Sequence, residues 1–253
     1  MGHLSNERLV MKSNDIHGSH SCLNAKLVKG TEWAVLSSEE IQIFNEKSIC
    51  RSYDVGETVF FEGDDCKGLY FMKSGLVGVR KIDADGGQVL IRLANPGDTL
   101  GYRPLLAGEK HRAGAEVIKE ARVCFLPKAI MRRLLISNPE LGIGFLERTA
   151  RALGAADERF FETVTLPARV RFIHLLMLMR NSCGSIIEDG SLFMELPLTR
   201  RDMASMLGIR AESLSRVVRE IESEGLAHFS GSQITIADPE SLISELDASL
   251  HSI

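Results

Sequence analysis

The hydrophobic and polar positions of this chain change period along its length. Between Tyr53 and Ala115 the apolar residues fall in short runs: Thr58–Phe61, Leu69–Met72, Leu76–Arg80 and Val89–Leu93, with Val117–Ile118 just beyond. Eleven of the 22 glycines lie in the same stretch, and Asp85-Gly86-Gly87 has the form of a hairpin turn. Short strands broken at close intervals by glycine turns predict a small antiparallel barrel or roll. A short capped helix beginning at Leu36 introduces it. From Pro139 to Val164 the period becomes helical, and Leu146, Thr149, Leu153, Ala156 and Phe160 alternate at spacings of three and four. That is a heptad-like seam, suited to pairing with its twin in a parallel dimer. Leu166-Pro167 breaks the pattern, and Val170, Phe172, Ile173, Leu175, Leu176, Leu178 and Met179 then make a strongly apolar helix. Ser185–Ile187 with Leu192–Leu196, and Ala227–Phe229 with Gln233–Ile236, read as two small hairpins, and Pro239–Leu250 as a last helix.

Between those hairpins lies LTRRDMASMLGIRAESLSRVVREIESEGL, residues 198–226. Thr199 followed by Asp202 is a capping-box pattern, Met203, Ala204, Met206 and Leu207 supply an apolar face, and Gly208 supplies a turn. A second helix follows, with Leu214, Val217, Val218 and Ile221 on one face and a glycine, Gly225, at its end. Its opposite face carries Glu212, Ser215, Arg216 and Arg219 at the same helical spacing. One side is thus anchored in a small core while the other offers groups that match base edges. Arg grips guanine bidentately, Glu accepts from cytosine N4, and Ser serves either. Thr199–Arg219 holds five Arg against two acids, in a chain of net charge −4. The pattern predicts a helix-turn-helix whose second helix enters a major groove of double-stranded DNA. Glu212, Ser215 and Arg216 are the candidate base readers. Thr199, Arg200, Arg201, Arg210 and Arg219 are candidates for phosphate contacts, which position a protein without reading sequence.

Composition adds limits. A length of 253 residues suits two domains, and 44% hydrophobic with 25% charged residues is ordinary for a globular protein. No apolar run approaches the ~18 residues of a membrane span, and no signal peptide is evident, so a cytoplasmic protein without membrane contact is expected. Five cysteines, an odd number, then suggest reduced thiols rather than a disulfide framework. Residues 1–33 are polar and aperiodic and read as a mobile arm, in which His17, His20 and Cys22 form at most a fragment of a metal site.

The 198–226 segment resembles the DNA-binding segment of the CRP/FNR superfamily. Glu212-x-x-Ser215-Arg216 is similar to the FNR branch, whose Glu, Ser and Arg read TTGA-type half-sites. The cyclic-AMP branch has a small residue in place of that Ser and an Arg where this chain has Ala211. One departure is Arg210, which stands where the family caps its recognition helix with Ser or Thr; a missing cap costs about 1 kcal/mol. GETVFFEGDDCKGLYFMKSGLVGV and NPGDTLGYRPLL resemble the double-stranded β-roll of the same family. The resemblance implies an α+β protein: an arm over 1–35, a β-roll sensor over 36–137, a dimerisation helix over 138–165 and a winged helix-turn-helix over 166–253. It also implies a homodimeric, non-enzymatic transcription regulator that meets RNA polymerase.

The nature of the signal stays open at this level. Cyclic-nucleotide members use a Glu after Gly for the ribose and an Arg for the cyclic phosphate. Here Gly101 is followed by Tyr102, and Arg112 precedes Ala113-Gly114 with no hydroxyl. A buried phosphate with half its partners missing is poorly held, which argues against cyclic AMP and leaves Gly101, Tyr102 and Arg112 as lining for another ligand or as packing. Cys124 resembles the β-roll cysteine that ligates the iron–sulfur cluster of FNR-type oxygen sensors. Cys22, Cys50, Cys66 and Cys124 would supply the four thiolates of a cubane cluster, although at an unfamiliar spacing. Thiol-redox sensing competes with that reading, and Cys183 lies outside the set. A nucleotide-gated regulatory subunit would keep the phosphate cassette. A cupin-like enzyme with a docking domain would need a His/His/carboxylate set, yet His111 is the one histidine between Asn24 and Ile173.

Overall fold

The structure is a computed structural model and describes residues 22–250. His17 and His20 lie outside the described residues. The chain enters through α1 (Ala25–Val28), a 3-10 turn (Glu32–Val35) and α2 (Ser38–Lys47), whose start is closed by a reciprocal Ser37–Glu40 capping box. The expected arm is therefore corrected from Cys22 onward. Trp33 is fully buried, sits edge-on to Phe44 and Phe145, and donates from Nε1 to Thr99 Oγ1 at 2.8 Å. An indole with its N–H satisfied anchors a segment whose polar composition suggested none.

The roll consists of β1 (Ile49–Tyr53), β2 (Thr58–Phe60), β3 (Gly68–Ile82), β4 (Gln88–Ala94), β5 (Thr99–Leu100), a short α3 (Tyr102–Ala107) and β6 (Gly114–Pro127). All pairings are antiparallel, in the order β1-β6-β3-β4, with β2 on β6 and β5 on β3. The two runs Leu69–Met72 and Leu76–Arg80 are one strand rather than two. Gly75 does not end it: at φ +86° it is absorbed as an irregularity in the β3–β6 ladder, and a Cβ there would lie 2.1 Å from the Glu120 carbonyl. The expected turn at Asp85–Gly87 is present, with Asp83 Oδ1 accepting from the amides of Asp85 and Gly87.

α4 (Lys128–Ser137) follows the roll, then α5 (Pro139–Thr165) and α6 (Ala168–Cys183). Leu146, Leu153 and Phe160 of the heptad seam are 68%, 63% and 72% exposed on the single chain. The C-terminal part is β7 (Gly184–Ile186), β8 (Leu192–Glu195), α7 (Arg200–Met206), α8 (Ala211–Ser223), β9 (Ala227–Ser230), β10 (Gln233–Ile236) and α9 (Pro239–Leu250). Its two hairpins join into one sheet, β7-β8-β10-β9, because β8 pairs with β10. Leu90, a β4 residue with no exposed surface, is buried in the same core as α6, α7 and α8, so the roll and the C-terminal part share apolar packing. No helix among the described residues is long and apolar enough to cross a membrane.

Candidate nucleic-acid interface and sensor site

α8 is built as its two stripes require. Leu214, Val217, Val218 and Ile221 are buried, while Glu212, Arg216 and Arg219 are exposed and Ser215 is half-buried. Arg210 occupies the cap position without a side-chain cap bond, so the helix starts on backbone bonds to the Arg210 carbonyl. Ser215 Oγ donates back to the Ala211 carbonyl at 3.0 Å, leaving its oxygen able to accept from a ligand. Arg219 is turned along its own helix, its Nε donating to the Ser215 carbonyl at 3.2 Å. Glu212 and Arg216 flank Ser215 on an open face.

α7 differs. The Thr199–Asp202 capping box forms as expected, with Thr199 Oγ1 accepting from the Asp202 amide at 3.1 Å and donating to Asp202 Oδ2 at 2.8 Å. Asp202 has a further partner, the Arg80 guanidinium of β3, which also lies 3.1 Å from Glu116. Burial pushes the Asp202 carboxyl up, but hydrogen bonds from Arg80 and Thr199 outweigh it and hold the group below the usual aspartate range. The Leu90 amide donates to Ser205 Oγ at 3.2 Å, and the Arg201 guanidinium lies against the Gly87 turn beside Asp83. Arg200 lies over the Phe229 ring at 5.7 Å. Of the expected phosphate contacts, Thr199, Arg201, Arg210 and Arg219 are exposed, Thr199 within its capping box and Arg219 along its own helix, whereas Arg200 is half-buried over Phe229.

The roll holds a cavity of about 530 Å³ lined by Gly101, Tyr102 and Arg112 together with Arg92, Arg103 and Arg159. Gly101 takes φ +81°, which a glycine adopts without strain, and starts α3. Tyr102 is buried, 5.8 Å from the Phe145 ring, and Arg148 sits over its face at 5.4 Å. Arg112 turns outward and pairs with Glu109 at 2.9 Å. Arg92 escaped the sequence reading. Burial lowers its pKa, Asp98 and Tyr102 oppose that, and Arg103 and Arg148 reinforce it. The signal was available: strand alternation sets Arg92 on the inward face with Ala94.

The cysteines separate into two groups. Cys50 and Cys124 face each other across β1 and β6, and Cys22 converges on them from the lead-in, so the three sulfurs lie within 4.8 Å of one another. Cys50 Sγ reaches the sulfurs of both Cys22 and Cys124, and can join one of them at a time in a disulfide. Cys66 is not among them. Its thiol donates to the Gly68 and Gly101 carbonyls at 3.4 and 3.5 Å, and burial raises its pKa. The four-thiolate set of a cubane is thus not assembled among the described residues. Cys183, at the end of α6, has its thiol pKa raised by burial as well.

Residues 50–138 match the cyclic nucleotide-binding domain family, and residues 170–245 match the Crp-like helix-turn-helix domain family. The two matches follow each other in the order of the roll and the helix-turn-helix. The chain belongs to the CRP/FNR superfamily of transcription regulators. CRP/FNR relatives include the nitrogen fixation regulation protein FixK of Bradyrhizobium diazoefficiens, 26% identical over 87% of this chain and 91% of that one. The transcriptional activator protein FnrL of Cereibacter sphaeroides is 26% identical over 89% and 92%. Among solved structures, FixK2 from Bradyrhizobium japonicum superposes with a TM-score of 0.66 at 24% identity, covering 78% of this chain and 96% of that one. These relatives are regulators of transcription, and so is this CRP/FNR chain, a DNA-binding protein and not an enzyme. Neither domain match reaches α5, the helix between them.

Proposed function

We propose that the protein acts as a homodimer on a TTGA-like palindrome and is switched by a signal received in the β-roll. The observation that carries the reading is α8, which buries one stripe and holds Glu212, Ser215 and Arg216 on an open face. The exposed Leu146–Leu153–Phe160 seam supports a twofold pairing along α5. Footprinting is expected to show two inverted half-sites about one helical turn, ~10 bp, apart centre to centre. A single asymmetric footprint from a monomer sinks the proposal. Membership of the family supports contact with RNA polymerase and a cytoplasmic location.

The signal is thiol chemistry at Cys22, Cys50 and Cys124. An iron–sulfur cluster on this trio needs a fourth ligand from elsewhere, because Cys66 faces the Gly68 and Gly101 carbonyls. Iron and sulfide analysis of anaerobically purified protein separates the two. A second reading, an anionic small ligand, is favoured by Arg92, Arg103 and Arg159 around the roll cavity. Cyclic AMP is not that ligand: Tyr102 fills the place of the ribose acid and Arg112 turns outward to Glu109. Calorimetry with cyclic AMP is expected to show no specific heat, and saturable binding with raised DNA affinity would overturn this.

A further inference from the structure

We propose that Cys22, Cys50 and Cys124 form a three-thiol site for one trivalent thiophilic metalloid, with arsenous acid as the ligand chemistry. This deepens the thiol reading of the signal and rests on it. The donors are three sulfurs within 4.8 Å of one another, contributed by the lead-in and two strands. Cys22 and Cys124 are 4% and 0% exposed, in a core that includes Leu23, Phe44, Phe71 and Leu126. Cys50 is half-buried on the edge strand β1, which leaves one side of the trio open for entry.

Charge decides among thiophilic ions. An apolar core disfavours any ligand that leaves a net charge behind. Three thiolates on a divalent zinc ion sum to −1, and zinc also asks for a fourth ligand. Three thiolates on copper(I) sum to −2. Trivalent arsenic takes three sulfurs in a pyramid and sums to zero. Its exchange balances without an oxidant: As(OH)3 and three thiols give As(SR)3 and three waters, each thiol proton leaving with one hydroxide. Arsenic bound this way would tie Cys22 to the roll. From Cys22 the chain runs to Glu32, whose carboxylate pairs with Arg148 of α5 at 2.9 Å. The site is thereby connected to the helix that bears the exposed seam.

The test uses the full-length protein, reduced and freed of small thiols under argon, then mixed with sodium arsenite and desalted. One arsenic per chain and the loss of three titratable thiols are expected. X-ray absorption of this wild-type sample should show three sulfur neighbours and no oxygen. Cys22→Ala, Cys50→Ala and Cys124→Ala should each weaken retention by about 100-fold or more, beyond the loss of an outer-shell partner. Cys66→Ala and Cys183→Ala should bind as wild type does. An arsenic-free wild type, arsenic with two sulfur neighbours, or equal retention by the trio variants would overturn the inference. The absorption spectrum needs no variant, so a variant that fails to fold leaves the test intact. Loss of arsenic binding with the palindrome footprint intact counts against this site alone. One arsenic per chain without a footprint supports the site and counts against the regulator reading.

Discussion

α7 and α8 are neighbours in one helix-turn-helix, and their outward faces have different fates. α8 leaves Glu212 and Arg216 exposed above its buried stripe. α7, which begins with Arg200 and Arg201, is engaged by the roll along its length: Asp202 with Arg80, Ser205 with the Leu90 amide, Arg201 beside Gly87. An acid and a serine thus sit on the outward stripe of one helix (Glu212, Ser215) and turn to the sensor on the next (Asp202, Ser205). The difference teaches that the polar face of a helix is free for a partner only if nothing else in the fold claims it. It also gives the sensor a direct hold on the reading head, independent of α5.

The largest effect is expected from removing the hold. Arg80 and Asp202 side chains are 14% and 10% exposed, so Arg80→Ala leaves a partly buried carboxylate without its cation, at about 3 kcal/mol. Amide exchange across α7 should accelerate accordingly, while exchange at the start of β1 stays unchanged. Unaltered protection of α7 would show that the two helices are equally free in solution. The pH dependence has a definite sign. Because the Asp202 carboxyl sits below its ordinary 3.8, the contact is fully present above that value and is lost as pH falls through the lowered one. Protection of α7 should accordingly be flat from neutral pH down to 3.8 and decline only beneath it.

Base reading sharpens the comparison from the α8 side. Arg216→Ala should cost ~1–3 kcal/mol of binding and relax preference at one base pair. A uniform loss on all sequences would move Arg216 to the phosphate class. For Arg201→Ala the expectation is a loss shared by all sequences and a salt slope reduced by about one counterion. That outcome requires α7 to leave Gly87 when DNA binds. An unchanged slope would mean that α7 stays docked. The smallest change concerns the unfilled cap of α8: Arg210→Ser should raise stability by about 1 kcal/mol in urea titrations. No gain would indicate that the backbone bonds to the Arg210 carbonyl already suffice.

Much of this protein could be read from local pattern alone. The Thr199–Asp202 box, the Gly208 turn and the two stripes of α8 are set by residues at most four apart on one helix face. The Asp85–Gly87 turn and the wing hairpin are local in the same sense. The long α5 followed from a seam repeated over several turns. Where tertiary context overruled local rules, the reading failed. A glycine that normally punctuates was carried through β3 by the neighbouring strand, and the polar lead-in was fastened by Trp33. The helix α4 went unread although Ile130, Met131, Leu134 and Leu135 repeat at helical spacing.

The functional pairings divide in the same way. Residue types named the reading helix, because base recognition depends on side chains that a single helix displays together. Residue spacing could not gather Cys22, Cys50 and Cys124, nor leave Cys66 out, because strand register and the path of the lead-in decide which sulfurs meet. Nor could it join Arg80 to Asp202, 122 positions apart. Local propensity carries no information on which distant surfaces will be buried against each other. That choice is made by the folded chain as a whole, where Leu90 of the roll fills a core shared with α7 and brings the two charges together.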